Sequence, residues 1–306
     1  MSNVLEAIGN TPLIKLSNIP DANGAEVYLK LEYFNPTSSY KDRMALSVIE
    51  EAEKRNELRP GITVIENTAG STGTSVVFVC AAKGYRFNAI SSDAFSKEKL
   101  RGMQLFGAEL ELIENGNAGI TPDLVPRMIS HVRELSKQDG YFWTRQFENP
   151  DVLTGYSKMA DEIVTQVAKP IHTFCAAVGT AGMFVGVSRE LKKAFDAIKL
   201  VALEPASAPL LTKGINGTHR VEGIAPGFVP PFLEQLSYDE AQAVEESEAR
   251  QMAKRLVKEE GVLAGTSTGL NVAAAVRIAK ELSPEDVVVT IANDSGLKYL
   301  STDLYS

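Results

Sequence analysis

Strand-like and helical runs alternate along almost the whole chain, and this alternation limits the possible folds more than any other feature. Residues 63–66 form a β-branched run that ends in a Gly-rich turn, and an apolar helix follows over 74–83, stopped by Gly84. Residues 87–90 read as a strand. Ser96 is a candidate N-cap for a helix running to Phe106, with Gly107 closing it. A strand over 109–113 and helices over 121–137 and 151–168 come next. A buried strand over 173–178 leads through a second Gly-rich turn into a helix over 184–194. A strand over 200–203, helices over 247–260 and 270–281, and a strand over 287–292 complete the series. Strand–helix–strand order predicts an α/β fold of mostly parallel sheets covered by helices. Ligands in such folds sit where the carboxyl ends of strands turn into helices, which directs attention to the turns after Glu66, Val178 and Ala292. A chain of 306 residues is expected to form more than one compact lobe, and no low-complexity linker or internal repeat marks a boundary.

Several function classes are disfavoured. The formal net charge is −8, and an acidic surface repels phosphate backbones, so no nucleic-acid partner is expected. Cys80 and Cys175 both sit in apolar runs without CxxC spacing, which predicts two buried thiols in a reducing compartment rather than a zinc or redox pair. Of three histidines, His172 lies in an apolar strand-like run and is expected in the core. His131 and His219 have no carboxylate or histidine at metal-ligand spacing, so no metal site and no histidine-based triad is expected. The start MSNVLEAIGN has no basic segment followed by an apolar one, and no apolar run reaches membrane-spanning length. The expectation is a cytoplasmic protein with no membrane partner.

Three turns that follow strands and open helices are rich in Gly, Ser and Thr: residues 67–73 (NTAGSTG), 179–182 (GTAG) and 265–269 (GTSTG). A helix start offers free N–H donors and the positive end of a dipole, and glycine lets a ligand come close to the backbone. Such turns are anion sites, though any one of them is also an ordinary connector; three in one α/β chain shift the balance. The patterns GxxxxGK[ST] and GxGxxG are both absent, which argues against a nucleotide and leaves other phosphorylated cofactors open. The segment 35–43 (NPTSSYKDR) precedes an amphipathic helix whose buried face is Met44, Ala45, Val48, Ile49 and Ala52. Ser39 is the candidate N-cap, with Asp42 three residues on. Lys41 then falls in the first turn, where the dipole favours the neutral amine that Schiff-base chemistry requires. On this local pattern alone a solvated surface lysine is the competing reading.

In this order, the segments resemble the cysteine synthase family, the fold-type-II pyridoxal-phosphate (PLP) enzymes that include O-acetylserine sulfhydrylase and the core of cystathionine β-synthase. Residues 8–13 (IGNTPL) resemble the family's opening, and 35–43 match NPxGSxKDR. Residues 68–73 match TSGNTG and 179–183 match GTGGT. Residues 223–230 resemble GIGAGFIP, 265–269 resemble GISSG, and 299–302 match YLST. The match runs from about residue 5 to 304. It implies two lobes of the kind found in the tryptophan synthase β chain: a smaller, mobile lobe over 35–145 that carries the substrate-carboxylate loop, and a larger PLP-phosphate lobe over 1–34 and 146–306. Lys41 would hold the cofactor and serve as general base. Residues Gly179, Thr180, Ala181, Gly182 and Met183 would cradle its phosphate, Ser267 would meet its pyridine nitrogen, and Ser71 and Asp294 would complete the cofactor contacts. Thr68, Ala69, Gly70, Ser71, Thr72, Gln146 and Gly223 would bind the substrate. A hydroxyl rather than a carboxylate at the ring nitrogen makes a milder electron sink, which suits elimination at Cβ. The partners implied are a small amino acid, a small nucleophile and a second copy of the chain in a homodimer. Lobe closure would shield the reacting centre from water. No allosteric control of the kind seen in longer relatives is expected.

The chain departs from the family pattern near the substrate. Ala69 and Ser71 replace the serine and asparagine of TSGNTG. Met183 replaces the last threonine of GTGGT, removing one phosphate hydrogen bond. Ser38 replaces a glycine, Ala225-Pro226 replaces Gly-Ala, and Leu297-Lys298 replaces an acidic–basic pair. The leading expectation is β-replacement on an activated serine such as O-acetylserine, through an aminoacrylate, giving cysteine or a related β-substituted alanine. The alternatives are β-eliminating deamination of serine, threonine or cysteine, for which Ala69 speaks, and a non-catalytic paralogue acting as a binding partner.

Overall fold

The computed structural model describes residues 3–116 and 120–305. In chain order the strands and α-helices are β1 (Leu13–Lys15), β2 (Glu26–Leu31), α1 (Lys41–Lys54), β3 (Thr63–Asn67), α2 (Ser71–Lys83), β4 (Arg86–Ser92), α3 (Lys97–Leu105), β5 (Glu109–Ile113), α4 (Leu124–Leu135), β6 (Tyr141–Trp143), α5 (Asp151–Val167), β7 (Thr173–Ala177), α6 (Gly182–Ala194), β8 (Lys199–Pro205), α7 (Leu210–Lys213), β9 (Glu240–Val244), α8 (Glu246–Arg255), α9 (Thr266–Lys280) and β10 (Val287–Ala292). They form two sheets, ordered β1-β2-β10-β7-β8-β9 and β5-β4-β3-β6. Every pairing is parallel except β1 with β2. The α/β architecture of parallel sheets covered by helices is as the alternation predicted.

The reason lies in strand composition. Strands buried on both faces read as continuous apolar runs, and β7 and β10 are buried at every position. The two-residue side-chain period divides them between two layers. Val287, Val289 and Ile291 pack with Phe174, Ala176, Leu200 and Ala202 against α5 and α6. Val288 and Ala292 pack with Val27, Leu29, Val201 and Leu203 against α8 and α9. In the smaller sheet Val64 and Phe87 face the first of these layers. Ile65 and Ile90 face α4 through Leu124, Met128 and Val132.

Three helices start earlier than their apolar patterns suggest. α2 begins at Ser71, α6 at Gly182 and α9 at Thr266, so each Gly-Ser-Thr turn supplies the first helical turn itself. At the other extreme, α4 begins only at Leu124, and α8 ends at Arg255 before a wider π turn over Leu256–Glu260. Gly84 closes α2 in the left-handed conformation, as expected.

Three local expectations need correction. Ser39 is not the N-cap of α1: Tyr40 occupies that position without a side-chain cap bond, and Asp42 reaches back to Thr37 instead, accepting its N–H at 2.8 Å and its hydroxyl. Ser96 does sit at the N-cap of α3, but its buried hydroxyl caps nothing. His172 is not a core residue. Its ring is 43 % exposed, it faces Asp286 Oδ1 at 3.1 Å, and its Nδ1 accepts the Val287 N–H. The buried histidine is His219, whose Nε2 donates to the Ala225 carbonyl. Both cysteines are buried and free, and burial pushes each thiol up to about 12. Among the described residues no three metal-ligating side chains gather, and no helix is long and apolar enough to cross a membrane.

Candidate active site

The motif around Lys41 is a set of anchors. Asn35 takes the Gly9 N–H on its Oδ1 (2.9 Å) and donates to Glu32. Arg43, two residues beyond Lys41, bonds Glu32 Oε2 through Nε and Glu162 Oε1 through Nη1, both at 2.7 Å. Lys30, itself fully buried, bonds Glu162 Oε2 at 2.7 Å and the Thr11 carbonyl. These buried charges tie α1 to β2 and α5, and they succeed because each is paired and hydrogen-bonded. Lys41 is thereby fixed as the first residue of α1.

Lys41 itself is the exception. It is 6 % exposed, and among the described residues its ammonium has no hydrogen-bond or ion-pair partner, only the Tyr40 ring at 4.8 Å. Burial lowers its pKa to about 8, partly opposed by the charge of Glu66. The direction matches the expectation from the helix start, and desolvation is the cause.

Lys41 opens into a cleft whose empty space, counting the open solvent at its mouth, is about 610 Å³. Of the residues singled out in the sequence, Ala69, Ser71, Thr72, Gln146, Gly179, Thr180 and Gly223 line it with Lys41. The turn after β3 is shaped by Thr68, whose hydroxyl accepts the N–H groups of Gly70 (2.9 Å) and Gly73 (2.8 Å). Gln146 is held against the same turn: it donates to the Asn67 carbonyl at 2.6 Å and accepts from the Thr72 hydroxyl at 2.7 Å. Ser71 donates to Asp294 Oδ2 at 3.4 Å, and that oxygen also accepts from Tyr299 at 2.8 Å. Ser267, buried at the start of α9, accepts from the Asn293 amide at 3.0 Å, which leaves its own hydroxyl proton to donate elsewhere. Ala181, Gly182 and Met183 are buried at the start of α6, with Gly182 against Val152 and Tyr156 and its N–H on the Thr180 hydroxyl at 3.4 Å.

These residues fit PLP. A buried, unpaired amine suits its aldehyde. The first-turn N–H groups of α6, which lack intrahelical acceptors, and the Thr180 hydroxyl suit its phosphate. The Ser267 hydroxyl suits an unprotonated ring nitrogen. The buried Oδ1 of Asn67, which borders the cleft, has no partner among the described residues.

Sequence reasoning missed several residues here. Glu66, fully buried at the end of β3, accepts from the Thr144 hydroxyl and the Gln146 N–H (3.0 Å), and burial raises its pKa to about 7. A carboxylate inside an apolar β run just before a Gly-rich turn was the available signal. Lys99 on α3 lines the cleft, and its ammonium bonds Glu222 Oε2 and the Tyr299 hydroxyl, both at 2.8 Å. Nothing local marks Lys99 or Glu222, which meet from 123 positions apart.

Residues 4–294 match the family described as pyridoxal-phosphate dependent enzyme. A cysteine synthase of Staphylococcus aureus (strain Mu50 / ATCC 700699) is 41% identical over 313 aligned positions, covering 100% of this chain and 97% of that protein. The O-ureido-L-serine synthase of Streptomyces lavendulae is 36% identical, covering 99% and 92%. The crystal structure of an O-acetylserine dependent cystathionine beta-synthase from Helicobacter pylori superposes with a TM-score of 0.93 at 32% identity, covering 100% of this chain and 99% of that one.

Proposed function

The chain belongs to the pyridoxal-phosphate dependent enzymes and has their fold-type-II architecture, and from that premise we propose that it exchanges the β-substituent of an activated serine of the O-acetylserine kind for an incoming nucleophile, giving cysteine or a related β-substituted alanine. It is a PLP enzyme of the cysteine-synthase type. When bound, PLP supplies the electron sink that makes the substrate Cα–H acidic. The observation that carries the reading is Lys41: a buried, unpaired amine that burial lowers to about 8. Such an amine would hold the cofactor, and it would take the proton from the substrate Cα and return one there. The α6 start holds the phosphate through backbone N–H groups and Thr180. Ser267 donates its hydroxyl to the ring nitrogen. The 68–72 turn, through N–H groups other than those of Thr68 and Gly70, and with Thr72 and Gln146, would grip the substrate carboxylate at the start of α2. Asp294 acts through Ser71 as a positioning residue. We also assign residues 35–145 to a mobile lobe that closes on substrate, and two copies of the chain to a homodimer, for which sedimentation velocity is the measurement.

The holoprotein is expected to show a visible absorbance band that Lys41→Ala abolishes. O-acetylserine should change that band with release of acetate, and added sulfide or thiol should restore it while a cysteine product forms. A wild-type protein without a visible band sinks the assignment. Release of pyruvate and ammonia without any nucleophile turns it to β-elimination.

A further inference from the structure

The cleft has two chemistries. Lys41, Ser71, Thr72, Gln146 and Thr180 give it a polar side. The rest is apolar. Phe95, Ile120 and Met128 line it from the four-stranded half and belong to one packed cluster with Ile65, Ile90 and Leu124, so they form a continuous wall rather than scattered contacts. Phe147 and Ile224 face the cleft from the other half, with the Phe147 ring set against Phe228 at 5.2 Å.

Charge decides what such a wall admits. Besides Lys41, the only charged side chain lining the cleft among the described residues is Lys99. Its ammonium is already committed, at 2.8 Å to Glu222 and to Tyr299 and at 3.8 Å to Asp294. A nucleophile carrying a carboxylate or an ammonium would be desolvated there with no free partner, which costs more than the same site gains from it. An uncharged alkyl tail would instead cover apolar surface.

We propose that the incoming nucleophile is a short, uncharged alkanethiol, taken in preference to thiols that bear a charged group, and that the Lys99–Glu222 pair enforces this choice. The inference rests on the replacement reading above. The balance is that of a simple displacement: the substrate's Cβ–O bond breaks, a Cβ–S bond forms, and acetate leaves with the thiol's proton as acetic acid, with no change of oxidation state.

Two measurements on the wild-type holoenzyme test it. Propanethiol and mercaptoacetate are compared as nucleophiles with O-acetylserine, following acetate release. The products S-propylcysteine and S-(carboxymethyl)cysteine are compared by calorimetric titration. Propanethiol is expected to show at least a tenfold higher kcat/KM, and S-propylcysteine at least a tenfold tighter Kd. Glu222→Gln, which takes the nearer of its two carboxylates from the Lys99 ammonium, should shrink both ratios at least fivefold by favouring the anionic member. Equal ratios, a preference for the charged compounds, or acceptance of sulfide without propanethiol would overturn the inference. Should no thiol release acetate, the replacement reading fails, and the affinity ratio still decides the character of the wall.

Discussion

Single residues in this site sit in conformations and environments that cost stability. Ser38 (φ 56°), Ala181 (φ 64°) and Ala225 (φ 46°) are left-handed without being glycine, each where the resembling family pattern has glycine. Hydrogen bonds hold all three: Ser38 N–H to Asn35, Ala225 N–H to Val178, and the Ala181 carbonyl accepting from Val185. The left-handed conformation costs a non-glycine residue about 1–2 kcal/mol. Ala181→Gly and Ala225→Gly are each expected to raise unfolding free energy in urea by about 1 kcal/mol. Lys41 costs more. Its folded pKa of about 8 lies below the ordinary 10.5, so between those values the unfolded chain binds more protons and stability rises with pH. Below pH 8 the penalty is fully present. Apoprotein carrying Lys41→Met should therefore be more stable than wild-type apoprotein at pH 7, by roughly 3 kcal/mol at most, with the gap closing towards pH 10. A gap that widens with pH would mean the amine is stabilised where it sits.

At the scale of elements, helices are brought together by glycines at their crossings. A Cβ on Gly155 of α5 would come within 2.6 Å of the Arg43 carbonyl oxygen and 2.9 Å of Met44 Cα on α1, and one on Gly186 of α6 would press on the Leu153 carbonyl of α5 at 2.9 Å. α1 cannot retreat cheaply, because Arg43 is fixed to Glu32 and Glu162. Gly155→Ala is expected to cost about 2–3 kcal/mol in urea unfolding and, by shifting the start of α1, to weaken PLP retention on dialysis. Unchanged retention would separate Lys41 from that packing. The elements themselves were largely legible in sequence, since buried parallel strands and amphipathic helices leave strong periodic patterns. Helix starts were legible less well. Ser, Thr and Gly are weak helix formers, yet at 71–73, 182 and 266–269 they are helical, where the chain turns out of a strand. β1, β2, β6 and β9 were not read from sequence, being short or interrupted by charge. Lys41 and the three turns were found through their order along the chain. Lys99 and Glu222 were not, because only tertiary folding gives them neighbours.

At the scale of the whole molecule, charged pairs as well as apolar layers join the two sheets. Lys99 follows the smaller sheet's β4, whereas Glu222, Asp294 and Tyr299 belong to segments after β8 and β10 of the larger one. Lys99→Ala would leave Glu222 short of its cation in a buried setting, and a loss of about 3 kcal/mol is expected in urea unfolding. A further consequence lies in the order of the larger sheet. Its interior strand β10 (Val287–Ala292) is the last of the ten, and it fills the space between β2 and β7. Val287 pairs with Glu26, about 260 positions away. While the chain is being synthesised, β2 and β7 must therefore wait with facing edges unpaired, although every strand of the smaller sheet has already emerged. Long-range parallel pairing is slow, and open edges invite association with other chains. Pulsed hydrogen exchange during refolding is expected to protect β3 and β4 before β2 and β7. Nascent chains stalled before residue 287 should collect holdase chaperones and release them once β10 is exposed. In the cell, the yield of this enzyme would then be limited by how long that central gap stays open.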